Sequence, residues 1–169
     1  FARPAVGLNT GDNDRFLRLW QEIAVSKIDF ACESIDEADD SPAKWLPYNK
    51  GGPYRKWYGN SFYVMNWEHG GKEVKDYAVF RNGGNHWSRY IQNLHWMCRS
   101  GVSWSATSSS YFGARFTDTG FLFDVKGTSA FPEQIHPFVM VGFLTSRLVS
   151  HLLRFLNPTI EFQTRDIGN

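Results

Sequence analysis

FVMVGFLTSRLVSHLLRFL, residues 138 to 156, is the stretch of this sequence that decides the expected fold class. Five apolar side chains recur along it at the spacing of one helical face: Met140, Leu144, Leu148, Leu152 and Phe155. The pattern predicts a single helix, which Pro158 ends because proline cannot continue an α-helix. The chain before it is rich in strand signals, so we predict an α+β fold, a β-rich body followed by a C-terminal helix.

Two segments just before this helix predict neighbouring strands. Residues 109 to 116 and 120 to 126 are separated by the short turn TDT at residues 117 to 119. In the second segment, three apolar side chains alternate with their neighbours: Phe121, Phe123 and Val125. Because side chains alternate across a strand, this spacing predicts one buried face.

Periodicity is less decisive in the rest of the chain. Residues 61 to 68 predict a strand, and HGG at 69 to 71 predicts a turn after it. Residues 16 to 20 fit either a strand or a short helix, and residues 87 to 97 favour a helix. The acidic run at 33 to 40 is typical of a solvated loop or helix face.

Composition indicates one globular domain with an unusually high content of aromatic residues. A chain of 169 residues suits a single hydrophobic core, and because it begins at Phe1 we expect a piece of a longer protein. The net charge of +1 does not match a domain that is basic throughout. Aromatic residues make up 17% of the chain, which indicates that some rings belong to a recognition surface.

Charge and cysteine content bear on where the protein works. Arg147, His151 and Arg154 interrupt the apolar stretch and argue against a membrane span. Cys32 and Cys98 are too few for the disulfide framework of a small secreted domain. The N-terminal sequence has no signal-peptide pattern. We therefore predict a reduced, intracellular protein without a membrane partner.

The sequence offers no catalytic or metal-binding motif. A methyl transfer to adenine needs a glycine-rich cofactor turn and an Asn-Pro-Pro-aromatic tetrapeptide, and Asn157-Pro158-Thr159 lacks the second proline. His95 and Cys98 have ligand spacing but no second pair nearby, whereas a structural metal site needs four ligands. We expect no catalytic residue, no metal and no cofactor in this chain.

The first candidate binding segment runs from residue 44 to residue 58. It mixes cations with flat rings around the loop GGP at residues 51 to 53, and it contains no acidic residue. Cations neutralise phosphates, and rings stack on bases or wedge against sugars. The alternative is a solvated loop whose rings fold back into the core. The candidate DNA-binding residues are Lys44, Lys50, Tyr54, Arg55, Lys56 and Trp57.

The second candidate segment runs from residue 101 to residue 115. Its hydroxyl groups suit phosphate contacts, and its arginine suits a guanine edge. The alternative is an ordinary region of strand and turn. The candidate DNA-binding residues here are Ser103, Trp104, Ser105, Ser108, Ser109 and Arg115.

Several segments, in this order, resemble one protein family. They are GLNTGDNDRF at 7–16, KWLPYNKGG at 44–52 with RKWYGN at 55–60, GVSWS at 101–105, GFLFD at 120–124, and LNPT at 156–159 with FQ at 162–163. Together they resemble the PglX-type adenine-specific methyltransferases of bacterial phage-exclusion (BREX) systems and, more loosely, type IIG restriction–modification enzymes.

The resemblance implies both a role and a fold. The segments lie C-terminal to the methyltransferase domain of that family, so residues 1–169 would form a DNA target-recognition domain. Catalysis and S-adenosylmethionine would belong to an absent N-terminal domain. The partners would be double-stranded DNA and the parent's own methyltransferase domain, in the bacterial cytoplasm. The implied fold is a twisted β-rich specificity domain with an α-hairpin, truncated here to one helix.

Within that role, the residues divide into two expected tasks. Positioning of the duplex on its phosphates falls to Lys44, Lys50, Arg55, Lys56 and the hydroxyls of residues 103 to 109. Base reading falls to Arg55, to Arg115 or to residues that the sequence does not single out.

Two rival functions come from other classes. A protein- or carbohydrate-binding module would use Trp45, Trp57 and Trp104 as aromatic platforms, and its binding would be insensitive to salt. A small hydrolase is the third possibility, which generic ester and phosphoester substrates would test.

Overall fold

Two four-stranded sheets form the body of the protein in a computed structural model that describes residues 2–108, 111–156 and 159–168. The strands in chain order are β1 (Ala2–Ala5), β2 (Leu17–Leu19), β3 (Trp45–Asn49), β4 (Tyr63–Asn66), β5 (Gly101–Trp104), β6 (Ala114–Thr117), β7 (Leu122–Phe123) and β8 (Ser129–Pro132). The α-helices are α1 (Asn13–Phe16), α2 (Ile35–Asp40), α3 (Glu68–Arg81), α4 (Pro137–Leu144), α5 (Arg147–Leu156) and α6 (Thr164–Gly168).

The first sheet has the strand order β1-β8-β5-β6 and is antiparallel throughout. Its central strand β5 is buried at every position, since it has a neighbour on each side and α4 packs against it. Val102 and Trp104 belong to the core that the sheet shares with α4 and α5. This sheet and its two helices place the site described below.

The second sheet has the order β2-β4-β3-β7, with a parallel pairing between β3 and β7. Proline is unfavourable inside a central strand because it has no N–H to donate. Pro47 is tolerated in β3 because the pairing with β7 starts only at Tyr48. Trp67 fills the core between this sheet and α3, and its indole N–H donates to Asp39 of α2 over 2.7 Å.

The α+β class and the C-terminal helix are confirmed, but the prediction of one continuous helix is wrong. Residues 138–156 belong to α4 and α5, which are bent by 64° at Thr145 and Ser146. Thr145 returns its hydroxyl to the carbonyl of Val141 (2.8 Å), and Ser146 Oγ accepts the N–H of Val149 (3.3 Å). Ser146 therefore caps a new helix, as short hydroxyl side chains do at helix starts.

The break also changes which side of the helix is buried. Met140 and Leu144 of α4 face the core as expected. In α5 the buried residues are Val149 and Leu153, whereas the expected core residues are exposed: Leu148, Leu152 and Phe155. Helical spacing predicts a common buried face only within one continuous helix, so the prediction fails after the break.

The two strands expected around the TDT turn exist only as short pieces, and they do not form a pair. β6 belongs to the first sheet and β7 to the second. The predicted alternation is also wrong, because Leu122, Phe123 and Asp124 are all buried. Asp124 is held inside by the hydroxyl of Tyr48, which donates to its carboxylate over 2.6 Å.

The remaining expectations have mixed outcomes. The strand at 61–68 is confirmed as β4, and the turn after it contains three residues of positive φ at 69–71. Residues 16–20 contain the end of α1 and strand β2. The helix expected at 87–97 is wrong, since only the 3₁₀ turns Trp87–Arg89 and Leu94–Trp96 form. The acidic run contains α2, whose acids are largely exposed.

In the part of the chain that the structure describes, no single helix is long and apolar enough to cross a membrane. The bent pair α4 and α5 reaches the required length and composition only when both are taken together.

Candidate functional site

Residues 50–60, which we call the aromatic loop, lie along the open edge of the first sheet. The Trp57 N–H donates to the Ala114 carbonyl (3.0 Å), and the Phe116 N–H donates to the Trp57 carbonyl (2.8 Å). Gly113 allows this close approach, because a Cβ there would lie 2.5 Å from the carbonyl oxygen of Arg55. The loop is therefore attached to the sheet by its backbone.

A cleft opens between the aromatic loop and α5, and we call it the basic cleft. Its volume is about 360 Å³. Its walls come from the loop, from Tyr111 and from the region of the helix break. The lining residues are Tyr54, Lys56, Tyr111, Thr145, Arg147, Ser150, His151 and Arg154. This lining contains three permanent cations, a histidine and four hydroxyl groups, and no acidic residue.

The basic residues of one wall of the cleft lie together because they share one face of α5. Arg147, His151 and Arg154 are spaced four and three residues apart on α5, and such positions share one face of a helix. The opposite side of the same helix buries Val149 and Leu153 in the core. The basic face is thus held in place by the packing of the apolar one.

The opposite wall is fixed to the helices by polar and ring contacts. The Lys56 ammonium donates to the carbonyl of Thr145 at the helix break (3.1 Å). Tyr54 and Tyr111 meet edge to face with ring centroids 6.2 Å apart. The Arg154 guanidinium lies over the Tyr111 ring at 4.8 Å. These contacts give the cleft a defined shape.

The lining fits an anion better than any other class of ligand. Lys56 has used one of its three donors and keeps two. Guanidinium groups match the oxygens of phosphate in pairs. The tyrosine, serine and threonine hydroxyls add neutral donors of the kind that contact phosphate and sugar in DNA complexes.

The structure places the residues of the first candidate segment in different surroundings. Tyr54 and Lys56 line the basic cleft. Arg55 and Trp57 are exposed on the aromatic loop. Lys50 lies with its ammonium 5.4 Å from the ring of Tyr63. Lys44 is at the far end of β3 and pairs with Glu68 over 2.8 Å, a surface ion pair of small energetic weight.

The residues of the second candidate segment are mostly inside the protein. Trp104 is 0% exposed and donates its indole N–H to the Phe162 carbonyl (2.9 Å). Ser103 is buried and accepts a hydrogen bond from Thr117 (2.7 Å). Ser105 bonds to both backbone groups of Gly52, so it supports the aromatic loop from below. Ser108 donates to the Tyr111 carbonyl (3.2 Å), and Ser109 lies outside the described residues.

Arg115 is a buried cation, with 1% of its surface exposed. It donates weakly to Ser105 Oγ (3.5 Å) and to the Gly113 carbonyl (3.4 Å). Its Nε and second terminal nitrogen have no hydrogen-bond partner among the described residues. Burial, and to a lesser degree the charge of Arg55, lower the pKa of Arg115 to about 10. Arg115 remains charged at neutral pH and adds positive potential beneath the loop.

The sequence candidates did not include the other six lining residues: Tyr111, Thr145, Ser150, Arg147, His151 and Arg154. The sequence treated the last three as evidence against a membrane span. Their spacing on a helix was the available signal, since basic residues four and three apart lie on one face. The sequence could not show that this face lines the same cleft as Lys56.

Comparison with known proteins identifies the class: the homologues of this chain are adenine-specific methyltransferases. The chain is similar to the adenine-specific methyltransferase PglX of Lacticaseibacillus casei (strain Zhang), with 38% identity over 164 residues, 96% of the chain and 13% of that protein. It is similar to the adenine-specific methyltransferase BrxX of Escherichia coli O9:H4 (strain HS), with 30% identity over 169 residues, 98% of the chain and 13% of that protein.

These relatives confirm the expected likeness to PglX-type methyltransferases. The chain spans about 13% of the length of each of these relatives. No family model matches the chain.

Proposed function

We propose that this chain is the double-stranded DNA target-recognition module of an adenine-N6 DNA methyltransferase in a BREX or restriction–modification system. The observation that carries the proposal is the basic cleft, which collects Lys56, Arg147 and Arg154 without a lining acid. The likeness to adenine-specific methyltransferases supports the same role.

The cleft accounts for DNA binding by a chain of almost neutral net charge. Affinity for DNA depends on cations that replace the counterions of phosphates, and only the cations at the interface contribute. The acids of α2 do not line the basic cleft. Local charge at the cleft, and not the overall balance of +1, is therefore the relevant quantity.

The proposed division of labour leaves the chemistry to the rest of the parent enzyme. In this proposal residues 1–169 hold and select the duplex, and the parent's methyltransferase domain flips the adenine out of the stack and methylates it. S-adenosylmethionine belongs to that domain. No residue of this chain acts on the reacting atoms.

The alternative of an aromatic binding module has less support. Of its three proposed platforms, Trp45 and Trp104 are buried and Trp57 alone is exposed. Stacking of a sugar or peptide on Trp45 or Trp104 would require the core to open.

Two lysines of the aromatic loop provide a matched test. Lys56→Ala is expected to weaken binding of the full-length enzyme to duplex DNA and to flatten the slope of log affinity against log salt by about 0.9, because one phosphate contact is lost. Lys50→Ala removes the same charge six residues away, from a lysine that contacts the Tyr63 ring and not the cleft. We expect its slope to match the wild type.

Both affinities are measured by fluorescence anisotropy at several salt concentrations, with a labelled duplex. Equal slopes for Lys56→Ala and wild type would remove the cleft from the interface. A flatter slope for Lys50→Ala alone would move the interface toward the second sheet.

A further inference from the structure

Two adjacent rings of the aromatic loop, Trp57 and Tyr58, are largely exposed. Trp57 is 62% exposed and Tyr58 is 76% exposed. Large rings on a soluble domain are usually at least partly covered, and adjacent exposed rings point to a contact surface. Their backbone explains why they do not fold back.

Trp57 has a backbone conformation that bulky residues avoid. Its φ is +72°, and it stands at the centre of a three-residue turn closed by the Tyr58 N–H on the Lys56 carbonyl (3.0 Å). A positive φ at a large side chain is strained and persists only where the surroundings impose it. Strain of this kind occurs preferentially at functional positions.

The surroundings impose it through backbone and side-chain bonds. Both backbone groups of Trp57 pair with β6. Asn60 closes the base of the loop by donating to the Pro53 carbonyl (2.9 Å), and Ser105 holds Gly52 from below. The indole therefore projects from a rigid base, which reduces the entropy lost when a ligand binds.

The charges around the rings favour nucleic acid over a protein partner. Arg55 and Lys56 precede Trp57 directly, and the sequence contains no acid between Asp40 and Glu68. Lys56 also belongs to the basic cleft. Because Lys56 directly precedes Trp57 in the chain, a duplex that contacts both the cleft and the ring needs to span only neighbouring residues.

We propose that Trp57, assisted by Tyr58, stacks on a base of the bound duplex at a step that has become unstacked. This inference rests on the proposed function and deepens it, since it assigns a mode of contact to the loop. Aromatic wedges stabilise distorted duplexes in other DNA-binding proteins. Extrusion of a target adenine requires such a distortion, and a ring that fills the opened step lowers its cost.

The variant Trp57→Gly distinguishes base stacking by Trp57 from a role of its side chain in protein stability. Glycine accepts a positive φ without strain, so the variant is expected to keep or raise the melting temperature of the protein. Its affinity for duplex DNA should fall about 5- to 150-fold, the range for loss of one base–aromatic stack. The slope of log affinity against log salt should stay unchanged, because the ring has no charge. Trp57→Phe should recover most of the affinity.

The experiment uses the full-length enzyme and a duplex with 2-aminopurine in place of adenines near the target. Its fluorescence should rise when the wild type binds, because the base becomes unstacked, and should rise less with Trp57→Gly. Trp20→Ala serves as the control, since it removes another exposed tryptophan, on a 3₁₀ turn that does not line the basic cleft. It should behave as the wild type does.

The possible failures are distinguishable. A wild-type enzyme that does not bind duplex DNA would overturn the proposed function. A wild type that binds, together with a Trp57→Gly variant of equal affinity and equal 2-aminopurine response, would overturn the stacking inference alone.

Discussion

Replacing Arg147 and Arg154 together with alanine is expected to lower the affinity of the full-length enzyme for duplex DNA by at least about 100-fold. A hydrogen bond to a charged group contributes about 1.5–3 kcal/mol, and both guanidinium groups line the basic cleft. The slope of log affinity against log salt should flatten by about 1.8, because two phosphate contacts are lost. The loss should be similar for all DNA sequences, since phosphates carry no sequence information.

The matched control is the double variant Arg89→Ala with Arg99→Ala. Both arginines are exposed, and both lie over an aromatic ring, Arg89 on Tyr90 at 5.9 Å and Arg99 on Trp96 at 5.2 Å. The control therefore removes the same charge and the same kind of ring contact outside the cleft. If both double variants lose affinity equally, the effect belongs to net charge, and the cleft has no special role.

Trp104→Ala is expected to destabilise the protein by about 3–5 kcal/mol, the usual cost of removing a large buried ring. Trp104 is fully buried, its ring lies 6.1 Å from that of Phe112, and its N–H bonds to the Phe162 carbonyl. For a protein of this size the melting temperature should fall by roughly 6–20 °C. Trp104→Phe keeps the ring and loses the hydrogen bond, so its effect should be smaller.

Thermal unfolding followed by circular dichroism measures this change, with Trp20→Ala as the control for loss of an exposed tryptophan. An unchanged melting temperature in Trp104→Ala, combined with weaker DNA binding, would return Trp104 to the interface that the sequence pattern suggested. A large loss of stability in Trp20→Ala would show that exposure is a poor guide to energetic weight here.

Trp104 also illustrates what the sequence could not reveal. Its neighbours in Gly101–Trp104 are small or polar, a pattern that resembles an exposed strand with serine contacts. Every residue of the strand is buried: β8 and β6 pair with its two edges, and α4 packs against the face that carries Val102 and Trp104. The alternation of side chains along a strand does not reveal whether another element covers its polar face, since that element comes from a distant part of the chain.

The helical part of the fold was predictable in class but not in detail. The sequence correctly indicated helical structure near the C-terminus and a β-rich body, so the α+β class followed, but the apolar spacing missed the break between α4 and α5. The break depends on Thr145 and Ser146, whose hydroxyls bond to nearby backbone. Such residues also occur inside unbroken helices, so their presence alone did not locate the bend.

The sequence predicted only one of the two walls of the basic cleft. The sequence shows the excess of cations and rings around Tyr54 and Lys56, and both residues line the cleft. Its other wall comes from α5, about ninety positions further along the chain. Pairing these segments requires the packing of the first sheet, which the sequence alone did not specify.

Hydrogen exchange on the full-length enzyme, with and without duplex DNA, tests the central claim most directly. DNA should slow amide exchange in the aromatic loop, residues 50–60, and in α5, Arg147–Leu156, because these segments form the two walls of the basic cleft. The acidic helix α2, Ile35–Asp40, should exchange at the same rate in both states, since its acids would repel phosphates within the Debye length, about 8 Å at physiological salt. Protection of α2 with no change in α5 and the loop would contradict the account.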